Sequence, residues 1–194
     1  MTARTKLAPE EQLTIEEFLA FTDTRPDGER WELIEGVAVL NPSPVDHHQF
    51  VAANIITYLM THKRQIGASW YPMPGVGTRV PTSPRSLPQP DVFVKERAMT
   101  GSPVTDDALV LFEVLSKSNT KSDQAWRRKV YASVPNCQHY VTVSLKAVEV
   151  DAYDRDTGWK KRTRSGLADG LDLPARGLSI PLREIYRDTP LGPQ

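Results

Sequence analysis

Hydrophobic and polar residues alternate along this chain in short blocks that predict a mixture of helices and strands. Thr14 and Glu17 have the spacing of a capping box, and the apolar residues that follow Thr14 predict a first helix that runs to about Thr22. Between about Asp46 and Lys63 the apolar residues recur at helical spacing, which predicts the longest helix of the chain.

Segments with the pattern of strands lie between and after these helices. Arg30 to Ile34 and Val37 to Leu40 have the pattern of a hairpin around Glu35-Gly36. The run from Ala108 to Leu115 is apolar apart from one glutamate, which predicts a central strand buried on both faces. Further strands are predicted at Trp70 to Val80, Asp91 to Val94, His139 to Val143, Val148 to Tyr153 and Trp159 to Thr163, with a short helix at Leu182 to Tyr186. The first of these segments is predicted to be one irregular strand or two short ones.

A second long helix is predicted from about Ser122 to Ser133, where Pro135 ends it. A rotation of about 100° per residue separates two faces of this helix. One face is formed by Ser122, Ala125, Trp126, Lys129, Val130, Ala132 and Ser133, and the other by Gln124, Arg127, Arg128 and Tyr131. This pattern predicts that Lys129 lies within the inward stripe.

Composition limits the class of protein. A chain of 194 residues is expected to form a single domain over 1–194 and to bury a sizeable core. Twenty-four Lys and Arg balance 24 Asp and Glu, which argues against the large basic surface of a non-specific nucleic-acid binder. The single cysteine, Cys137, excludes an internal disulfide framework and a thiolate zinc cluster within one chain.

Hydropathy predicts neither a membrane span nor a secretory signal. No apolar stretch approaches the roughly 18 residues that a spanning helix needs. The segment from Met1 to Pro9 carries two basic residues but no apolar region behind them. A cytoplasmic location is therefore the expectation.

Two acidic residues, Asp91 and Glu113, stand in segments that predict buried strands. A carboxylate in an apolar layer loses hydration worth several kcal/mol, so it tends to be protonated, ion-paired or bound to a metal. If the two strands pair, these carboxylates could hold one Mg²⁺ ion, which favours oxygen ligands, with Lys129 offsetting charge on a substrate phosphate. The alternative is structural: Asp91 caps a turn, Glu113 pairs with an arginine, and Lys129 extends to solvent.

An ordered set of motifs resembles a known family. The motifs are Trp31-Glu32-Leu33-Ile34-Glu35-Gly36, His48-Gln49 at the start of a helix, Gln89-Pro90-Asp91, Glu113-Val114-Leu115-Ser116 and Lys129-x-Tyr131. In this order they resemble the Uma-two family of restriction endonucleases, in the PD-(D/E)XK nuclease superfamily. The similarity extends from about Thr14 to Tyr153, and the order of the motifs makes it specific.

The resemblance implies a fold and an activity. The fold would be α/β (α+β) of the restriction-endonuclease type, a mixed central sheet flanked by helices, with its core at about 14–153 and C-terminal strands and a short helix at 154–194. The activity would be a metal-dependent endonuclease acting on DNA, with Mg²⁺ or Mn²⁺ bound at Asp91 and Glu113. Glu32 would supply another oxygen or would be a surface residue of its strand. Restriction-type enzymes often act as dimers, so a homodimer stays open.

The sequence departs from the superfamily pattern at the third position of the Glu-x-Lys signature, which is Leu115. In the family resembled, a lysine on the following helix substitutes, and Lys129 is the residue matched to it. Lys117 stands where relatives have proline. Leu115 in place of lysine and the zero net charge leave an alternative function open: a catalytically inactive nuclease fold that binds nucleic acid or regulates another protein.

Overall fold

The computed structural model describes residues 5–7, 12–116 and 119–193. The α-helices in these residues are α1 Ile15–Thr22, α2 Asp46–Ile66, α3 Lys121–Tyr131 and α4 Leu182–Ile185. The strands up to the middle of the chain are β1 Thr5–Leu7, β2 Arg30–Ile34, β3 Val37–Asn41, β4 Tyr71–Pro74, β5 Gly77–Thr78, β6 Val92–Lys95 and β7 Val104–Thr105. Those that follow are β8 Val110–Leu115, β9 His139–Ser144, β10 Glu149–Asp154, β11 Lys161–Ser165, β12 Gly170–Leu173 and β13 Leu178–Pro181.

A mixed six-stranded sheet forms the centre of the fold, in the order β11-β10-β9-β8-β6-β4. Strands β8 and β9 run parallel, and the other neighbouring pairs are antiparallel. The helix α3 supplies the crossover that a parallel pair requires. The apolar run at β8 is a central strand, as predicted, and its residues from Val110 to Val114 are buried.

Helices cover both faces of this sheet. On one face, Val51, Ile55 and Leu59 of α2 pack in the same apolar cluster as alternate residues of β8, together with residues of β12, β13 and α4. On the other face, Val130 and Tyr131 of α3 pack with β8 and β9. The architecture is therefore α+β, a mixed central sheet flanked by helices, which confirms the predicted fold class.

A smaller sheet, in the order β1-β3-β2, packs against α1. The predicted capping box is present: the Thr14 side chain accepts from the Glu17 N–H, and the Glu17 side chain accepts from the Thr14 N–H. The Leu87 N–H donates to the Leu33 carbonyl at 2.7 Å, which ties β2 to the segment that leads into Asp91. The small sheet thus lies beside one end of the central sheet.

Most predicted elements are confirmed within one to three residues at their ends. The segment from Trp70 to Val80 forms two short strands, β4 and β5, and the pair β12 and β13 lies within 154–194, where C-terminal strands are expected without bounds of their own. In the described part of the chain, no helix is both long enough and apolar enough to cross a bilayer. Lys117 and most of the N-terminal segment used in the signal prediction lie outside the described residues.

Candidate active site

Glu113 lies on the central strand β8 with its side chain directed at α3. Its Oε1 accepts from Arg127 Nη1 at 2.9 Å and from the Tyr131 hydroxyl at 3.0 Å. Burial raises the pKa of Tyr131 well above its usual value, so this hydroxyl remains a donor. The Glu113 side chain is 7% exposed, and its Oε2 makes no hydrogen bond or ion pair within the described residues.

Glu32 lies in the middle of β2 and is as deeply buried as Glu113. Its Oε2 accepts from Arg127 Nη2 at 2.6 Å and from Asn41 Nδ2 at 2.8 Å, and its Oε1 accepts from the Gln89 N–H at 2.6 Å. Burial acts to raise the pKa of Glu32, but the Arg127 charge and these hydrogen bonds outweigh it and hold the pKa below its usual value. Of the two roles predicted for Glu32, the surface one is therefore wrong.

Asp91 directly precedes β6, which pairs with β8, and its N–H donates to the Phe112 carbonyl at 2.9 Å. A close backbone approach fixes this position, because a Cβ built at Gly75 would overlap the Pro90 carbonyl oxygen. The Asp91 side chain is 8% exposed, and its Oδ2 accepts from the Val114 N–H at 2.8 Å. The predicted pairing of the Asp91 segment with the strand of Glu113 is confirmed, and Asp91 itself stands one residue before β6.

A histidine and an arginine complete the surroundings of Asp91. His48 Nε2 of α2 lies 3.4 Å from Oδ2, and Arg30 Nη1 of β2 lies 3.3 Å from Oδ1. Burial acts to raise the pKa of Asp91, and His48, Arg30 and the Val114 N–H together hold it below its usual value. Asp91 is thus an anion in the folded protein.

Strand β2 joins the carboxylates into one cluster. Arg30 and Glu32 are two residues apart, so their side chains leave the same face of the strand. Arg30 contacts Asp91, while Glu32 shares Arg127 with Glu113. We refer to the carboxylates of Glu32, Asp91 and Glu113 as the carboxylate cluster.

The carboxylate cluster holds more negative charge than its arginines balance. The three cluster carboxylates face Arg127 and Arg30, and Asp123 Oδ2 lies 3.5 Å from Arg127 Nε, so carboxylates outnumber arginines around the site. Burial raises the pKa of Glu113 to about 8. Arg127 attracts the carboxylate and opposes this rise, while repulsion from Asp91 and Glu32 adds to it. The excess charge therefore resides at Glu113, which a proton neutralises near pH 7.

The helix-borne cation of the site is Arg127 and not Lys129. Lys129 is exposed, while the buried residues of α3 are Arg127, Val130 and Tyr131. The prediction that Lys129 lies within the inward stripe is therefore wrong. A rotation of about 100° per residue places Arg127 on the face opposite Trp126 and Val130, but its carboxylate partners Glu32, Glu113 and Asp123 allow it to be buried.

Sequence reasoning also missed other residues that contact the cluster. Arg30, His48 and Tyr131 each lie within 3.4 Å of Asp91 or Glu113. The one available signal was the spacing of Asp123, Arg127 and Tyr131, which repeat at i, i+4 and i+8 and so line one helix face. For Arg30 and His48 the chain carries no local signal, because their partner is distant in sequence.

The residues present fit one divalent cation better than a larger metal centre. Within the described residues, no three His, Cys, Asp or Glu side chains are grouped as a ready set of ligands. Two carboxylates completed by water are nevertheless a common arrangement for Mg²⁺. The free Glu113 Oε2 and the excess negative charge suit such an ion.

Several polar atoms at the site also lack hydrogen-bond partners. The buried atoms His48 Nδ1, Arg127 Nε and Tyr140 Oη make no hydrogen bond in the described part of the protein. The Tyr140 ring lies 5.4 Å from that of Tyr131, next to Glu113. Buried polar atoms are rarely left without a hydrogen bond, so their concentration here indicates a place where water or a ligand binds.

Comparison with known proteins finds a matching family, a similar protein sequence and a similar solved structure. A family model described as "Uma2: Putative restriction endonuclease" matches residues 15–183. The chain is 29% identical over 196 residues to "Uncharacterized protein slr1290" of Synechocystis sp., covering 96% of this chain and 98% of that protein. A solved structure described as a "putative nuclease belonging to DUF820" from Anabaena variabilis superposes with a TM-score of 0.72 at 12% identity, covering 90% of this chain and 97% of the other.

Proposed function

We propose that this chain, which belongs to the Uma2 family, is an endonuclease that hydrolyses phosphodiester bonds of DNA with the help of Mg²⁺ or Mn²⁺. The family description and the nuclease-like fold support a nuclease that acts on nucleic acid. The observation that carries the finer proposal is the buried carboxylate cluster, in which Asp91 and Glu113 come from paired segments and carboxylates outnumber arginines.

In this proposal Asp91 and Glu113 hold the metal ion. When bound, such an ion supplies charge stabilisation on a phosphoryl oxygen and activation of a water molecule. Glu113 would offer Oε2, since its Oε1 already accepts from Arg127 and Tyr131. Glu32 keeps its bonds to Arg127, Asn41 and the Gln89 N–H, which gives it the role of positioning Arg127.

Arg127 takes the role that the sequence analysis gave to Lys129. The attraction of Glu113 and Glu32 overcomes burial and raises the pKa of Arg127 well above its usual value, so the guanidinium stays charged. A permanently charged group cannot accept the proton of an attacking water. Its contribution is therefore electrostatic: it fixes the carboxylates and offsets negative charge that develops beside them.

The test is cleavage of plasmid and of short single-stranded DNA with Mg²⁺ or Mn²⁺ against EDTA. We expect metal-dependent cleavage by the native protein and a loss of at least about 100-fold in Asp91→Asn and Glu113→Gln. Glu149→Gln is the matched control, because this glutamate is exposed on β10, far along the sheet from β6. Cleavage at the native rate in both cluster variants would refute the proposal.

The inactive nuclease fold is the rival function. One observation favours it: Arg127 already occupies one oxygen of Glu113, as a structural counter-ion would. Thermal unfolding with and without Mn²⁺ separates the two functions, because a ligand that binds only the folded state raises the melting temperature. Salt-sensitive DNA binding without any metal-dependent shift or cleavage would favour the rival.

A further inference from the structure

The two oxygens of Asp91 have different surroundings. Oδ2 accepts from the Val114 N–H at 2.8 Å and lies 3.4 Å from His48 Nε2, so both of its neighbours belong to packed elements. Oδ1 has Arg30 Nη1 at 3.3 Å, and the Arg30 side chain is 34% exposed. The inner oxygen is thus held by buried groups and the outer one by a side chain with access to solvent.

His48 is an unusual residue for its place on α2. Its side chain is 7% exposed, and the other buried residues of that helix are the apolar Val51, Ala52, Ile55 and Leu59. The second ring nitrogen, Nδ1, is buried without a hydrogen-bond partner among the described residues. Burial of an unsatisfied polar atom costs about 1–3 kcal/mol, so an apolar residue would serve packing better.

We propose that His48 is a positioning residue of the metal site. Together with the Val114 N–H it fixes Asp91 Oδ2, so that Oδ1 is the oxygen offered to the divalent cation. Arg30 is then the partner that gives way when the ion binds, because its exposed side chain can move into solvent. This inference rests on the proposed function and goes further, since it assigns opposite roles to the two side chains, His48 and Arg30, that contact one carboxylate.

Opposite roles predict opposite changes in metal affinity, measured by Mn²⁺ titration calorimetry of the full chain without DNA. Arg30→Gln removes a charge that competes for Oδ1, so we expect Mn²⁺ to bind several-fold tighter. His48→Leu releases Oδ2, and loss of a group that orients a metal ligand typically weakens binding about 10- to 100-fold. A purely electrostatic role for His48 would instead make both substitutions strengthen binding or leave it unchanged.

A conservative pair of variants separates positioning from packing. The amide nitrogen of His48→Gln can reach the place of Nε2, whereas that of His48→Asn reaches only the place of Nδ1. We expect His48→Gln to bind Mn²⁺ within about threefold of the native protein, and His48→Asn to bind as weakly as His48→Leu. Melting temperatures in EDTA show that each variant is folded, and the Gln and Asn pair decides the question if the Leu variant is not.

The outcomes distinguish the inference from the function on which it rests. Tighter or unchanged Mn²⁺ binding in both His48→Leu and His48→Asn would overturn the positioning role, while the proposed nuclease site would stand. Failure of the native protein to bind Mn²⁺ at all would overturn both. Equal binding by His48→Gln and His48→Asn, whatever its strength, would also contradict the positioning role, because only one of them keeps the donor at Nε2.

Discussion

Replacement of Arg127 by methionine tests whether the carboxylate cluster depends on one buried cation. Arg127 is 3% exposed and bridges Glu32 and Glu113 at 2.6 and 2.9 Å, so it connects β2, β8 and α3. Methionine keeps most of the length of the side chain and removes the ion pairs with Glu32, Glu113 and Asp123. The loss of charge, rather than the loss of volume, then dominates the change in stability.

The size of the effect follows from what remains buried without a partner. Removal of one member of a buried ion pair costs about 3–5 kcal/mol. Glu113 contributes little of this near pH 7, because its pKa of about 8 leaves it largely protonated. Glu32 keeps Asn41 and the Gln89 N–H but loses its countercharge, so we expect the free energy of unfolding to fall by about 3 kcal/mol.

Urea unfolding of the metal-free protein measures this loss. A decrease of about 3 kcal/mol lowers the urea midpoint by about 1.5 M at a slope of about 2 kcal/mol per M. Lys129→Met is the matched control: it makes the same change on the same helix at an exposed position, so we expect a shift within about 0.5 kcal/mol. Equal midpoints for the two variants would refute the assignment of Arg127 as the buried cation.

The pH dependence gives a second check on the same variant. The folded pKa of Glu32 lies below 4.5, so its contribution to stability is present above pH 4.5 and is lost as the pH falls through the folded value. Arg127→Met removes the charge that lowers this pKa. The difference between native protein and variant should therefore narrow below about pH 4.5, and a difference that widened there would contradict the ion pair with Glu32.

Three other predictions concern single residues. Burial raises the pKa of Glu113 from 4.5 to about 8. In EDTA its contribution to stability should therefore be complete below pH 4.5 and be lost as the pH rises through about 8. Glu113→Gln should flatten the dependence of the unfolding free energy on pH over that range. Burial raises the pKa of Cys137 to about 12, so a thiol reagent should modify it only at the rate of unfolding, and fast labelling in native buffer would contradict this burial. Gly75→Ala should lower the unfolding free energy by at least about 1–3 kcal/mol, because the added Cβ meets the backbone of Pro90. Gly170→Ala is the control and should cost less, because its Cβ meets only a side-chain hydroxyl at 3.3 Å. Equal losses of stability in urea unfolding would refute the close approach.

Local patterns predicted the elements of this fold well because each carries its own signal. The capping box at Thr14, the apolar run of β8 and the turn at Glu35-Gly36 are decided by neighbours in sequence. The pairing of the Asp91 segment with the Glu113 strand could also be proposed, since both segments are short, apolar and close along the chain. These features predict that two of the three cluster carboxylates lie in neighbouring segments of the sheet.

The face of α3 could not be predicted in the same way. This helix carries few apolar residues. Trp126 and Val130 therefore define its predicted inward face, and the other residues are placed by their angle around the helix axis from these two. Trp126 is only partly buried, and the stripe is rotated toward Arg127 and Tyr131. A buried arginine is stable only beside carboxylates that its own segment does not show, and here they lie on β2 and β8.

Charge balance connects the two arginines to the choice of metal site. Carboxylates outnumber the two arginines at this site, and a proton on Glu113 reduces the excess negative charge. A divalent cation that displaced Arg30 would leave Arg127 beside Glu32, whereas displacement of Arg127 would leave Glu32 buried without its countercharge. The exposed fractions of the two arginine side chains, 34% for Arg30 and 3% for Arg127, favour the first exchange.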